Sequence, residues 1–134
     1  MTIAQFKYTI LYVTDVISTV EFYEKAFGLV RGFVTPEADY GEVNTGNTTL
    51  AFANMELGNS NVKSGFIESS LNNKPFGIEL AFVTENIQET WTNAINLGAI
   101  IQQEIEDKPW GQKVGYLRDL NGFLLEICTP MEGV

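Results

Sequence analysis

From Phe6 to Val13 (Phe-Lys-Tyr-Thr-Ile-Leu-Tyr-Val) the chain is aromatic and β-branched, the pattern of a strand. Asp15 then stands where a helix N-cap belongs. Val16, Val20, Phe22, Tyr23, Ala26 and Phe27 recur at helical spacing until Gly28, a residue suited to closing the helix. Leu29 to Val34 reads as a second strand and Thr35-Pro36-Glu37 as a turn. Ala38 to Asn44 and Asn47 to Asn54 form a hairpin around Thr45-Gly46. Residues 55–75 change character: rich in Asn, Ser and Gly, they read as a connector with one helical turn near Phe66 to Leu71.

The pattern then returns. Phe76 to Thr84 is a strand, and Glu85-Asn86 offers an N-cap. Ile87 to Leu97 is a helix with Ile87, Trp91, Ala94, Ile95 and Leu97 inward, ended by Gly98. Ala99 to Ile105 is a strand, Lys108-Pro109-Trp110-Gly111 a turn, and Lys113 to Arg118 with Phe123 to Thr129 a closing hairpin. Gly28 and Gly98 lie 70 residues apart, as do Tyr40-Gly41 and Trp110-Gly111, while the caps Asp15 and Asn86 differ by 71. Both halves therefore read strand, helix, three strands, which marks a duplicated unit. One helix covers only one face of its sheet, so the other faces must be closed by the second half or by a partner chain, an arrangement expected to make a cup between sheets. The division expected is a single domain over 1–134, with a first module at 5–54, the connector at 55–75 and a second module at 76–131.

The closing hairpin carries the most informative stretch, Asp119-Leu-Asn-Gly-Phe-Leu-Leu-Glu-Ile127. Asn-Gly is a strong hairpin signal. The strand after it alternates, with Leu124, Glu126 and Cys128 on one face and Phe123, Leu125 and Ile127 on the other. A carboxylate in the middle of an apolar strand is either a solvated edge residue or a group placed in a ligand cavity.

Composition narrows the chemistry. Seventeen acidic against eight basic residues give a net charge of −9. That argues against nucleic acid and anionic membranes as partners and favours attraction of a cation. No apolar run has membrane-spanning length, and the N-terminus shows no signal-peptide pattern. A lone cysteine, Cys128, cannot form an internal disulfide, which suits a cytoplasmic protein. The chain has no histidine. Ser-His-Asp and Cys-His catalysis are thereby excluded, and so are thiolate-rich and imidazole metal sites.

The segments Val13-Thr-Asp-Val16, Phe22-Tyr-Glu-Lys-Ala-Phe-Gly28, Pro109-Trp-Gly111 and Asp119-Leu-Asn-Gly-Phe-Leu-Leu-Glu126 together resemble the vicinal oxygen chelate superfamily. That group includes glyoxalase I, extradiol dioxygenases and bleomycin-resistance proteins. The resemblance implies the glyoxalase/bleomycin resistance fold: α+β, two tandem βαβββ modules forming a cup-shaped mixed sheet, usually in a homodimer. Its enzymes carry metal ligands on the first and last strand of each module. The first of these positions falls on Tyr8, a poor ligand because a phenol yields its proton only in alkali. The last strand of the first module contains no His, Glu or Asp. In the second module, counting back seven residues from Asn86 gives Glu79, whereas the 70-residue offset gives Ile78. Glu79 is favoured, because the other register buries an unpaired carboxylate beneath the helix. The last position matches Glu126.

With that lining, the expectation is a protein without metal or cofactor that binds a small organic molecule, cationic or planar and aromatic, such as an antibiotic. The binding candidates are Tyr8, Tyr12, Tyr40, Glu79, Trp110, Tyr116 and Glu126, since aromatic faces attract cations and cover planar rings. The alternative is a lyase, isomerase or dioxygenase-like enzyme of the superfamily in which Glu126 and Glu79 serve as metal ligand or proton shuttle. A purely regulatory or structural domain has no positive feature in the sequence.

Overall fold

The computed structural model describes residues 2–131. Its elements run β1 (Tyr8–Val13), α1 (Val16–Phe27), β2 (Val30–Val34), β3 (Tyr40–Asn44), β4 (Thr49–Asn54), α2 (Met55–Asn61), β5 (Glu79–Val83), α3 (Ile87–Asn96), β6 (Ile100–Asp107), β7 (Lys113–Arg118) and β8 (Leu124–Cys128). The strands make two four-stranded mixed sheets, ordered β1-β4-β3-β2 and β5-β8-β7-β6. In both, the first strand pairs in parallel with the last, and the remaining pairs are antiparallel. The same order in both sheets is the structural form of the 70-residue repeat. No helix among the described residues is long and apolar enough to cross a membrane.

The chain divides into two compact units, one running through Glu24 and Gly28–Glu68, the other made of Lys25–Phe27 and the chain from Ser69 onward. In the first unit, Asp15 caps α1 by accepting from the Ser18 amide at 2.8 Å. The apolar stripe of α1 then lies on one face of its sheet: Val16, Val20 and Tyr23 are buried, and the Tyr23 ring stacks on Phe52 at 5.2 Å. Leu11, Val13, Val43 and Leu50 complete this core. Strand alternation turns Tyr8, Ile10, Tyr12, Tyr40, Glu42, Ala51 and Ala53 to the opposite, open face.

The second unit repeats the scheme. Ile87, Trp91 and Ala94 of α3 are buried, over Leu117, Leu125 and Ile127. Gly115 makes this possible: a Cβ there would fall 2.6 Å from the Trp91 ring. The Asp119–Phe123 turn forms as expected, though not through a left-handed Asn121; among its residues only Gly122 has positive φ, at 91°. The turn is carried instead by the fully buried Asp119 carboxylate, which accepts from the Asn121 and Phe123 amides, both at 2.9 Å.

Several details depart from the sequence-based expectation, among them Asn86, which precedes α3 without a side-chain cap bond. The helix of the connector is α2, directly after β4, and not a turn at Phe66–Leu71. Asn54 nucleates it by accepting from the Leu57 amide at 2.8 Å. Phe66 instead lies against Tyr12, with ring centroids 4.5 Å apart. β5 begins at Glu79, three residues later than expected, because Phe76 leaves the ladder to pack edge-on against Phe123.

Candidate functional site

In the second unit the register decides which side chains meet. Glu79 is opposite Leu124, Ala81 opposite Glu126, and Glu126 opposite Tyr116. Glu79, Tyr116, Glu126 and Cys128 thus occupy the sheet face turned away from α3, while Leu80 and Phe82 go to the other. Ile78 lies outside the strand, so the register that favoured Glu79 is the one adopted. The Tyr116 hydroxyl donates to Glu126 Oε1 at 3.3 Å.

Glu79 and Glu126 lie on the same face of adjacent strands, and a neighbouring carboxylate makes the Glu79 proton harder to lose. Partial burial, the bond to Glu126 and the charge of Glu126 together push the Glu79 pKa up to about 6. Burial, a bond to Glu126 and both carboxylate charges push the Cys128 thiol up to about 11, so it is inert as a nucleophile at neutral pH. The Tyr116 phenol is also raised, chiefly by burial and then by the two glutamates. The four groups form one acidic face.

This predicts a titration. Because the Glu79 pKa rises from 4.5 to about 6 on folding, the folded state holds the extra proton between those values. The associated stability is complete at the acid end of that window and is lost as the pH rises through it. A carboxyl-selective NMR titration should place the Glu79 midpoint near 6. Glu126→Gln should move it back toward 4.5, since an amide removes the charge and offers a donor to ionised Glu79. A midpoint unmoved by Glu126→Gln would show that Glu126 does not raise it.

In the first unit, Tyr8 and Tyr40 lie on the open sheet face, and the Tyr40 hydroxyl donates to Glu42 Oε2 at 2.7 Å. Glu42 was not among the residues singled out from the sequence, although its i, i+2 relation to Tyr40 places both on one face. The Tyr40 phenol is raised above its usual range by burial, by Glu42 and by nearby Tyr8. Tyr12 is taken up by Phe66 and by Gly58 of α2, whose added Cβ would meet the Tyr12 ring at 3.0 Å. Trp110 sits in the β6–β7 turn, 58% exposed, with its indole N–H donating to Gln112 at 2.6 Å. The structure therefore joins Glu79, Tyr116 and Glu126 in one group and Tyr8 and Tyr40 in another, and it engages Tyr12 and Trp110 elsewhere.

The superfamily's metal positions can be compared with the side chains present. Tyr8 and Glu79 open β1 and β5. Two residues on, Ile10 and Ala81 face Ala51 and Glu126 across the parallel pairs. Ala51 therefore stands in the first unit where Glu126 stands in the second, and it offers a methyl group. Among the described residues no group of three or more His, Cys, Asp or Glu is placed to hold a metal ion. Neither the phenol and methyl group of the first unit nor the two carboxyls of the second supply the donor set of a transition-metal centre.

Three solved structures illustrate the likeness of fold. A glyoxalase-related enzyme from Fulvimarina pelagi is 18% identical, with a TM-score of 0.80 over 96% of this chain and 89% of its own. A glyoxalase/bleomycin resistance protein/dioxygenase family enzyme from Burkholderia phytofirmans PsJN is 20% identical, with a TM-score of 0.80 over 94% of this chain and 98% of its own. TioX from Micromonospora sp. ML1 is 19% identical, with a TM-score of 0.67 over 94% and 98%. No curated protein matches the chain in sequence. The family model described as a glyoxalase-like domain matches residues 6–132. The motifs, the paired βαβββ order and that match together place the chain in the glyoxalase-like domain family, within the vicinal oxygen chelate superfamily.

Proposed function

We propose that this protein binds a small organic molecule without a metal, and that its guest is cationic or planar and aromatic, as an antibiotic can be. The observation that carries this is the face of Glu79, Tyr116 and Glu126, where strand register sets two carboxyls and a phenol side by side and Tyr116 donates to Glu126. Such a face attracts a cation and orients it by hydrogen bonds, and the net charge of −9 raises the cation concentration nearby. We further propose a cytoplasmic homodimer, which sedimentation would register as twice the 14.9 kDa of the chain.

Calorimetric titration of metal-stripped protein with cationic drugs and planar aromatics tests the binding. At least one compound should bind with a Kd below about 100 μM. Glu126→Gln should weaken that compound roughly tenfold, the scale of one hydrogen bond to a charged group. Absence of binding across the panel, or a requirement for added metal, would overturn the proposal.

The raised Glu79 pKa supports a second reading, in which Glu79 and Glu126 shuttle a proton in a lyase or isomerase reaction. Turnover lost in Glu126→Gln, with the fold intact, would favour it over simple binding.

A further inference from the structure

The first unit has a chemical arrangement that the Glu79–Glu126 pair does not explain. β2 and β3 pair with a one-residue shift: Arg31 is opposite Val43, but Phe33 is opposite Glu42. Gly32 is the extra residue. In an unbroken register Phe33 would oppose Gly41 and join the face packed by α1. The bulge turns it to the open face instead, beside Glu42, which is how bulges re-aim side chains near ligand sites. Val34 then takes the place opposite Gly41, where a Cβ on Gly41 would lie 3.2 Å from it.

The result is a corner with three components. The Phe33 and Tyr40 rings are 5.8 Å apart and tilted by 42°. The Tyr40 hydroxyl holds Oε2 of Glu42 at 2.7 Å, which fixes the carboxylate beside both rings. Beneath these side chains lie Ala51, opposite Glu42, and Ala53, opposite Tyr40, both buried. Phe33 is 47% exposed and Tyr8, on the far side of the two alanines, 44%. Among the described residues no lysine or arginine pairs with Glu42.

We infer that Phe33, Tyr40 and Glu42 form a subsite for one alkylammonium group of the guest. The inference rests on the reading of the chain as a binder of small organic molecules and adds, in the first unit, a place for a positive charge besides the Glu79–Glu126 face. The ring separation excludes a planar guest between the rings, since a sandwich needs about 3.5 Å on each side. A compact ammonium resting in the tilted corner meets both ring faces and the carboxylate together. Glu42 alone supplies too few ligands for a hard divalent ion, which takes six or more oxygens.

The probes are tetramethylammonium and butylammonium chloride, with butanol as the neutral control, added to the full chain and followed by NMR of the Phe33 and Tyr40 rings. Both ammonium ions should give saturable shifts, and butanol should not. Glu42→Gln should weaken them roughly tenfold, and Tyr40→Phe, which frees Oε2, should weaken them less. Glu126→Gln should weaken the Phe33 and Tyr40 shifts less than Glu42→Gln does. Equal shifts with butanol, or with magnesium chloride, would overturn the inference. So would shifts that follow protein concentration without any amine, because a second copy would then be covering this face. If Glu126→Gln abolishes ammonium binding while Glu42→Gln does not, the subsite is wrong but the binding function stands. If no amine or larger ligand binds at all, both fail.

Discussion

Phe52→Ala should lower the unfolding free energy by about 3–5 kcal/mol, the cost of truncating a buried ring whose surroundings cannot fully close. Phe52 is wholly buried in β4, between Leu11 of β1 and Gly41 of β3 in the ladder. Its ring is stacked on Tyr23 of α1 at 5.2 Å and 21°. Removing the ring loses its transfer energy and its aromatic pair, and it leaves a cavity under a helix already fixed by the Asp15 cap. Against a typical domain stability of about 5–15 kcal/mol, that is a large fraction. Urea denaturation should show the midpoint falling with little change in slope. Phe52→Leu, which keeps most of the volume, should cost about 1–2 kcal/mol. If the alanine variant loses less than the leucine variant, the Tyr23 ring is not packed as described.

Arg118→Met should cost about 3 kcal/mol, because it removes a buried guanidinium that donates to three carbonyls. Arg118 is 6% exposed. Its Nε donates to the Gly122 carbonyl at 2.7 Å, and Nη2 donates to the carbonyls of Ser70 and Asn73 at 3.0 and 2.9 Å. One guanidinium thus ties the β7–β8 turn to the connector. The approach is so close that a Cβ on Gly122 would fall 2.7 Å from the Ser70 carbonyl carbon. Limited proteolysis should reveal the loss as new cleavage near Ser70–Lys74, sites the wild type protects. Arg118→Lys should rescue little, since a single ammonium cannot span three separated acceptors. Protection retained in the methionine variant would show that the connector is held by something other than this clip.

Much of the framework was legible along the chain. α1 has the bounds its apolar spacing indicates, Val16 to Phe27, with Asp15 capping as its position implies. The register of Glu79 followed from one energetic argument, that a carboxyl under a helix would go unpaired. Where the reading missed, the missing information was not local. α2 was hidden because a Gly- and Asn-rich helix of seven residues has a weak intrinsic signal and depends on its cap and on neighbours. Phe33 was unremarkable because an apolar residue in a strand gives no sign of which face a bulge will send it to.

By itself, then, the sequence determined the duplicated strand and helix order, the positions of α1 and α3, the acidity, and the lack of imidazole and thiolate donors. These are matters of composition and periodicity, which are complete before the chain folds. The tertiary structure alone decided that Glu79, Tyr116 and Glu126 share one sheet face, that Arg118 clips the connector, and that Gly32 swings Phe33 beside Glu42. Each of those depends on distances of a few ångströms between residues on different strands or loops. Such distances are set by ladder register and packing, for which a linear pattern carries no coordinate.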